Sequence, residues 1–346
     1  MTSTKIPTHM KAWQYTETQA GLENTLKLST TVKVPTPPSD HHLVRITNIT
    51  LNPLDYKPAE IPFLHRFIVP RPGIPGTDFC GRIVKPAAGS ALKEGQLIFG
   101  VSSKQIFAGG ALAEYAAVPT SSTSVVPEGL SPAGAACIPI AGLTGYQSIV
   151  PYIKSGDRVF INGGSGGTGV FAIQIAKEAG AHVTVTCSTA NVELCKSLGA
   201  DEVIDYREGP VLNALKRLAK DTAPFDHAVD NVCNDMTLFW KADQYLKPNG
   251  RFVLVAASPG PAFVAFMLRA TLVPGFLGGA KRKLVRFVAD CNRPKELDQI
   301  ARWMIEGKVR QVVDQTFAFE DAKEAMRRMK SGRARGKIVV EVVAAR

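Results

Sequence analysis

The six cysteines of this chain (Cys80, Cys137, Cys187, Cys195, Cys233 and Cys291) form no C-x-x-C pair. At this length their scatter argues for reduced, mostly buried thiols and against a disulfide framework. On the same count Cys137 and Cys187 read as small buried hydrophobes rather than nucleophiles. No apolar run reaches the roughly 18 to 20 uncharged residues of a membrane span; the nearest, residues 261–278, is interrupted by Arg269. The N-terminal MTSTKIPTHMKAW has no apolar signal core, which makes the cytoplasm the default location. Repeats and low-complexity tracts are missing, and no local motif offers a Ser-His-Asp arrangement.

Positive charge is plentiful. The 41 Lys and Arg exceed the 30 Asp and Glu by 11, enough to attract anions such as a phosphorylated cofactor. Much of the excess sits in residues 281–286 and 327–337, with no nucleic-acid motif beside it, so a solvated face is the simpler reading and no specific nucleic-acid partner is expected. With 346 residues, 45% hydrophobic and 21% charged, the composition is that of a globular protein of two domains.

Residues 157–180 organise the rest. Val159, Phe160 and Ile161 form a short apolar strand pattern, and helical spacing begins near Thr168. Between them Gly164-Ser165-Gly166-Gly167-Thr168-Gly169 is a full G-x-G-x-x-G, whose glycines permit a tight turn and close approach of a pyrophosphate to a helix N-terminus. Upstream, residues 1–12 look frayed. Residues 13–126 then read as short strands (26–28, 43–51, 79–84, 96–101, 114–118) broken by proline and glycine turns. Helical periods appear at 133–138 and 143–149. After the glycine loop strands alternate with helices: 182–186, helix 191–198, 202–205, helix 211–220, 226–231, helix 236–246, and strand 251–256. Such alternation predicts a parallel doubly wound sheet. A helical, apolar and basic stretch runs to about Lys308. The last part, 311–319, helix 320–331 and strand 337–343, returns to the first domain.

These stretches resemble the medium-chain dehydrogenase/reductase superfamily, in its zinc-independent quinone oxidoreductase and enoyl reductase branch. The resemblance rests on Asn52-Pro53-Leu54-Asp55-Tyr56, Pro75-Gly76-Thr77-Asp78-Phe79-Cys80-Gly81, Gly110-Ala111-Leu112-Ala113-Glu114-Tyr115, Ala141-Gly142-Leu143-Thr144-Gly145-Tyr146, the glycine loop, residues 198–207, and Gly332-Arg333-Ala334-Arg335-Gly336-Lys337, in family order over nearly the whole chain. It implies an α/β protein: a GroES-like β-rich catalytic domain (1–126, completed by 310–346), a Rossmann domain (127–309), a substrate cleft between them, and a homodimer. Zinc-dependent relatives carry a Gly-His-Glu and cysteine ligands. Here the equivalent triplet is Gly76-Thr77-Asp78 and residues 46–56 hold no cysteine, so no metal is expected.

The cofactor follows from a missing charge. NAD sites place a carboxylate about twenty residues past the glycine loop, but residues 184–192 contain none. In the relatives a serine or threonine, a basic residue and a tyrosine hold the 2′-phosphate of NADPH. Ser188, Thr189 and Tyr206 match, while Asn191 stands where the basic residue would be. Ser188 also reads as a helix N-cap. Thr144 resembles a position near the nicotinamide, and Arg335 and Lys337 resemble C-terminal residues that reach the cofactor, although a solvated basic face fits them equally.

In this branch hydride passes from the nicotinamide to a quinone or to the β-carbon of an α,β-unsaturated carbonyl, leaving charge on the carbonyl oxygen. The candidates to meet that charge are Asn52, as an amide donor, and Tyr56, as a phenol donor, with Asp55 orienting one of them. An Asn-Pro turn and a packed tyrosine are the plainer alternatives. Thr77 and Asp78 either line the pocket or make structural hydrogen bonds. Residues 261–278 are the least family-like part. They fit a substrate wall for a lipophilic quinone or enone, a core helix or subunit contact, or a membrane-surface element acting with residues 281–286. A pathway-specific enoyl reductase of secondary metabolism and an NADPH-binding protein with little turnover are the alternative functions.

Overall fold

The computed structural model describes residues 6–61, 69–103, 109–255 and 260–342. In chain order the elements begin with β1 (His9–Gln14), β2 (Lys27–Lys33), β3 (His41–Leu51), β4 (Asp78–Lys85), β5 (Leu97–Val101), β6 (Tyr115–Pro119) and β7 (Thr123–Val125). Residues 9–12, expected to fray, are instead the start of β1, because Met10 and Ala12 are buried and the strand is paired with β2. Helix α1 (Pro139–Ile149) leads into β8 (Arg158–Asn162), α2 (Gly167–Glu178), β9 (His182–Cys187), α3 (Val192–Ser197), β10 (Glu202–Asp205), α4 (Val211–Asp221), β11 (Phe225–Asp230), β12 (Leu246–Leu254) and α5 (Pro261–Leu272). Strand β13 (Leu284–Arg286), α6 (Pro294–Ile305), β14 (Val313–Ala318), α7 (Ala322–Lys330) and β15 (Lys337–Glu341) complete the chain.

Two expected elements differ. The helix at 236–246 is only the single turn Thr237–Trp240, followed by a 3-10 turn, and Leu246 already belongs to β12, whose pairing with β11 begins at Phe225. The basic stretch is not all helix: Leu284, Val285 and Arg286 pair with Phe252, Val253 and Leu254. Ala256 and Val343, the expected ends of two strands, lie outside the described residues.

Contacts divide the chain into two compact units, Met1–Leu143 with Asp290–Arg346, and Thr144–Ala289. The divisions expected at 126 and 309 fall elsewhere, since α6 packs on β7 and the short helix Pro132–Ala136 packs on β3 and β4. Among its described residues the first unit holds the β1–β2 pair and a seven-stranded sheet, ordered β14-β15-β3-β4-β5-β7 with β6 also on β3. Strand β15 runs antiparallel to β3 with Ile338 opposite Leu51, so the end of the chain completes the sheet begun near its start. Ile46, Phe79, Ile98, Met326 and Val340 fill its core.

The second unit is one parallel sheet in the order β10-β9-β8-β11-β12-β13. Counted from β8 this is the 3-2-1-4-5-6 order of a dinucleotide-binding fold, which places the carboxyl ends of β8 and β11 at the reversal point. Tyr245 packs edge to face against both Phe160 and Phe225 in the core of this unit. Close approach between α2 and the turn before it needs glycine: a Cβ on Gly169 would run into the carbonyl oxygens of Gly163 and Gly164. Gly169→Ala is therefore expected to cost about 1–3 kcal/mol, read by calorimetry as a lower unfolding temperature; an unchanged temperature would mean the turn yields freely.

Candidate active site

Two groups of polar residues stand out, one in each unit. In the first, β3 ends at Leu51 and the chain turns through Asn52 into a 3-10 turn, Pro53–Asp55. Asn52 and Asp55 close a capping box: the Asp55 carboxylate accepts from the Asn52 backbone N–H at 2.7 Å. Its other oxygen accepts from the Thr77 hydroxyl at 2.5 Å. The neighbouring carboxylate, Asp78, opens β4 and is fully buried. It accepts from the Asn52 amide at 2.9 Å, from the Ile140 backbone N–H at 3.0 Å and from Lys337 Nζ at 3.2 Å. The Thr50 hydroxyl lies between it, at 3.1 Å, and the carbonyl of Ala136, at 2.8 Å.

Lys337 is 2% exposed, and its Nζ also donates to the Asn52 amide oxygen at 2.6 Å. Both ends of the Asn52 side chain are thus taken, one by Asp78 and the other by Lys337. The structure puts Lys337 in this buried knot rather than on a solvated basic face. Arg335, two residues earlier, is exposed, and its backbone N–H bonds Asp314.

Burial pushes the Asp55 carboxyl up to about 6, opposed by the Thr77 and Asn52 hydrogen bonds. A void of about 10 Å³, the size of one water, lies against Asp55 and Thr77. Tyr56 stands apart from the knot. Its ring packs on the core and faces Lys330 Nζ at 5.1 Å. Burial, and then Glu60, raise its phenol above the usual range, which keeps it a proton-bearing donor.

In the second unit a chain of side chains ties the strand ends that carry the glycine loop. Gly163 N–H donates to the Thr186 hydroxyl (2.8 Å), Thr186 to the Asn162 amide oxygen (2.6 Å), and the Asn162 amide to Asp230 (2.8 Å). Asp230 in turn caps Val232 and Cys233, both at 2.9 Å. The loop from Gly164 to Gly169 then delivers the chain into α2, with Gly166 at its N-cap and Ser165, Gly167 and Thr168 half-exposed at the turn. Thr144, in α1, is buried.

Ser188 occupies the N-cap position of the turn Thr189–Asn191, yet its side chain makes no capping bond, so the hydroxyl is not used by the turn. Asn191 donates to the Ser165 hydroxyl at 3.0 Å, bringing those two together across the loop. Thr189 bonds Asp205, whose carboxyl is held low by that bond and by the Arg207 N–H at 2.9 Å. Tyr206 is half-exposed beside it. Among the described residues Asn191 Oδ1, Asp205 Oδ2 and both amide atoms of Asn231 are buried without hydrogen-bond partners, and Asn231 follows β11 against Gly163. Orphaned polar atoms ringing a glycine loop are what a dinucleotide would satisfy, so the residues fit a nicotinamide nucleotide.

The zinc position can be tested on its donors. Thr77 stands in the triplet that matches Gly-His-Glu, residues 46–56 hold no cysteine, and Lys337 brings a fixed cation to Asp78. This set does not suit zinc. Among the described residues no group of three or more His, Cys, Asp or Glu side chains could hold a metal ion. The six cysteines are all buried and in no disulfide, and burial pushes the Cys80 and Cys137 thiols to about 12. Several site members were not anticipated from sequence: Thr50, the Asn162–Thr186–Asp230 tie and Asn231. A polar residue at each strand's carboxyl end was the available signal.

A GroES-like unit joined to a parallel dinucleotide-binding unit is the architecture of a dehydrogenase. Residues 38–128 match the alcohol dehydrogenase GroES-like domain family and residues 198–340 the zinc-binding dehydrogenase family. A trans-enoyl reductase of Aspergillus terreus is 43% identical over 97% of both chains. A 2-methylene-furan-3-one reductase of Solanum lycopersicum is 33% identical over 99% of this chain and 81% of that one. The quinone oxidoreductase of Coxiella burnetii superposes with a TM-score of 0.82 at 27% identity, covering 97% of this chain and 100% of its own. The chain belongs to the medium-chain dehydrogenase/reductase superfamily, and its donor set fits the zinc-independent branch.

Two outcomes follow from the knot. Lys337→Met leaves Asp78 buried and unpaired, and is expected to cost about 3–5 kcal/mol in a urea melt; a loss below about 1 kcal/mol would show the pair to be dispensable. Asp55 keeps its proton up to about pH 6 when folded, against an ordinary value of 3.8. The folded chain therefore binds more protons between these values, and Asp55's contribution to stability falls as pH rises through that window. Asp55→Asn is expected to remove this fall, measured as the difference in urea midpoint between its two ends.

Proposed function

We propose that the chain is a zinc-independent, NADPH-dependent reductase that transfers hydride to the β-carbon of an α,β-unsaturated carbonyl or to a quinone. The observation that carries this reading is the Asp78–Lys337–Asn52 knot at the position where relatives bind zinc, together with the orphaned polar atoms around the glycine loop. Bound NADPH supplies the hydride; the protein supplies binding, orientation and a proton-bearing donor.

Gly164, Ser165, Gly166, Gly167, Thr168 and Gly169 hold the pyrophosphate at the N-terminus of α2. Ser188, Thr189, Asn191 and Tyr206 form the 2′-phosphate side, Ser188 with its hydroxyl unused by the turn. Thr144 serves the nicotinamide end, and Arg335 is the C-terminal residue left exposed to reach the cofactor. Asn52 and Lys337 act as positioning residues, because both are committed to Asp78. Tyr56 donates to the oxygen that gains charge as hydride arrives. Thr77, which gives its one hydroxyl proton to Asp55 Oδ1, lines the pocket beside it and is held there by Asp55.

The similarity to an enoyl reductase at 43% identity favours a narrower version, a pathway-specific enoyl reductase of secondary metabolism. An NADPH-binding protein with little turnover is the alternative that kinetics removes. The substrate is a lipophilic small molecule. Among the described residues no helix is long and apolar enough to cross a membrane, and we place the protein in the cytoplasm as a homodimer; a monomeric mass in light scattering would contradict the dimer.

Titrating the protein's fluorescence with NADPH and NADH tests the cofactor. NADPH is expected to bind at least about tenfold tighter, a difference of about 1.4 kcal/mol. Adding 9,10-phenanthrenequinone or an alkyl enone should then oxidise it, with turnover lowered about 10²-fold or more in Tyr56→Phe. Failure to bind either nucleotide would overturn the assignment.

A further inference from the structure

Residues 244–289 contain seven Lys and Arg and no Asp or Glu. Helix α5 lies within this stretch and presents two faces. Phe266 is buried against Phe239 and Trp240, and Phe263 packs beside it. On the other side Val264, Leu268 and Leu272 recur every fourth residue, one exposed stripe along the helix. The stripe continues past the helix end into Phe276, 87% exposed, and Leu277, 67% exposed. These are large apolar side chains in water, in one contiguous sequence segment.

Beside them is a cavity of about 650 Å³ whose lining includes six cationic side chains, among them Arg251, Lys281 and Lys283, and one carboxylate, Asp243. Two of the cations are structural. Arg269 lies over the Trp240 ring at 4.7 Å and donates to the Gly278 carbonyl at 2.8 Å, which pins the turn bearing Phe276 and Leu277. Arg282 donates to the carbonyls of Lys247 and Gly250. Lys281, Lys283 and Arg286 are exposed and form no ion pair among the described residues.

We propose that this face of the Thr144–Ala289 unit docks on an anionic phospholipid surface, with headgroup phosphates against the cavity cations and with Leu272, Phe276 and Leu277 at the acyl boundary. An apolar stripe flanked by lysine and arginine, with Asp243 the one carboxylate lining the cavity, is complementary to such a surface on both counts. A second copy of the chain is a poorer occupant: a two-fold contact places a patch on itself, here cation against cation. A small free anion would fill the cavity and leave the apolar stripe in water. The proposal does not depend on the reductase reading, and its test uses no turnover.

Co-sedimentation of the full chain with phosphatidylcholine vesicles, with and without phosphatidylserine, tests it. Binding is expected with phosphatidylserine only, and should weaken as salt shortens the screening length. Lys281→Glu with Lys283→Glu should weaken it by about tenfold or more. Phe276→Ser with Leu277→Ser should also weaken it, at an unchanged unfolding temperature, since both side chains are exposed. No binding to the anionic vesicles, or equal binding to neutral ones, would overturn the proposal. So would a dimeric mass that the Phe276→Ser, Leu277→Ser variant converts to a monomer, since the face would then be covered by its own copy.

Discussion

The carboxylate of Asp78 cannot be buried alone. Removing it from water carries a penalty of several kcal/mol, which only a paired cation and further hydrogen bonds offset. Lys337, Asn52, Thr50 and the Ile140 N–H provide them. Each comes from a different place in the chain: the first residue of β15, the turn after β3, β3 itself, and α1. Strand β15 reaches β3 only because the last segment of the chain returns to the first unit, so one ion pair fastens the two ends of the sequence together. The same contacts fix the turn bearing Asp55, and through Asp55 the Thr77 hydroxyl. The rigidity of the Asn52–Asp55 turn and of Thr77 is thus a by-product of satisfying one buried charge.

That arrangement also accounts for the chemistry left open to the site. Where zinc-dependent relatives polarise an oxygen with a metal, the function proposed for this chain relies on the Tyr56 phenol, which follows the turn that the knot holds. A donor aimed at developing charge does not need to be charged itself if it need not reorganise. In the second unit the Gly163–Thr186–Asn162–Asp230 tie plays the corresponding part, fixing the strand ends so that the glycine loop meets α2 in one geometry. Both units hold their functional loops by buried side-chain hydrogen bonds rather than by loop packing.

Much of this was legible in the residues. The glycine loop, the alternation after it and the strand-rich first third all carry local periodicity, and each appears within a few residues of where the pattern puts it. Elements without local periodicity were not legible. β13 is three residues inside a basic run, and only its pairing with β12 makes it a strand. The segment 236–246 has helical composition, but Leu246 is drawn into β12 by the parallel pairing. The role of Lys337 depends on a carboxylate 259 residues away, and no spacing rule reaches that far. Asn52 reads correctly as part of a turn and as a polar residue, while the occupation of both ends of its amide is visible only in three dimensions.

The proposed function rests on direct hydride transfer from nicotinamide to carbon without metal. It is tested most directly by running the reaction with NADPH deuterated at the transferable C4 position, on protein dialysed against a chelator, with an α,β-unsaturated ketone as acceptor. One deuterium is expected at the β-carbon of the saturated product, undiminished by the chelator. Product without label at that carbon, or activity that returns only when zinc is restored, would contradict it.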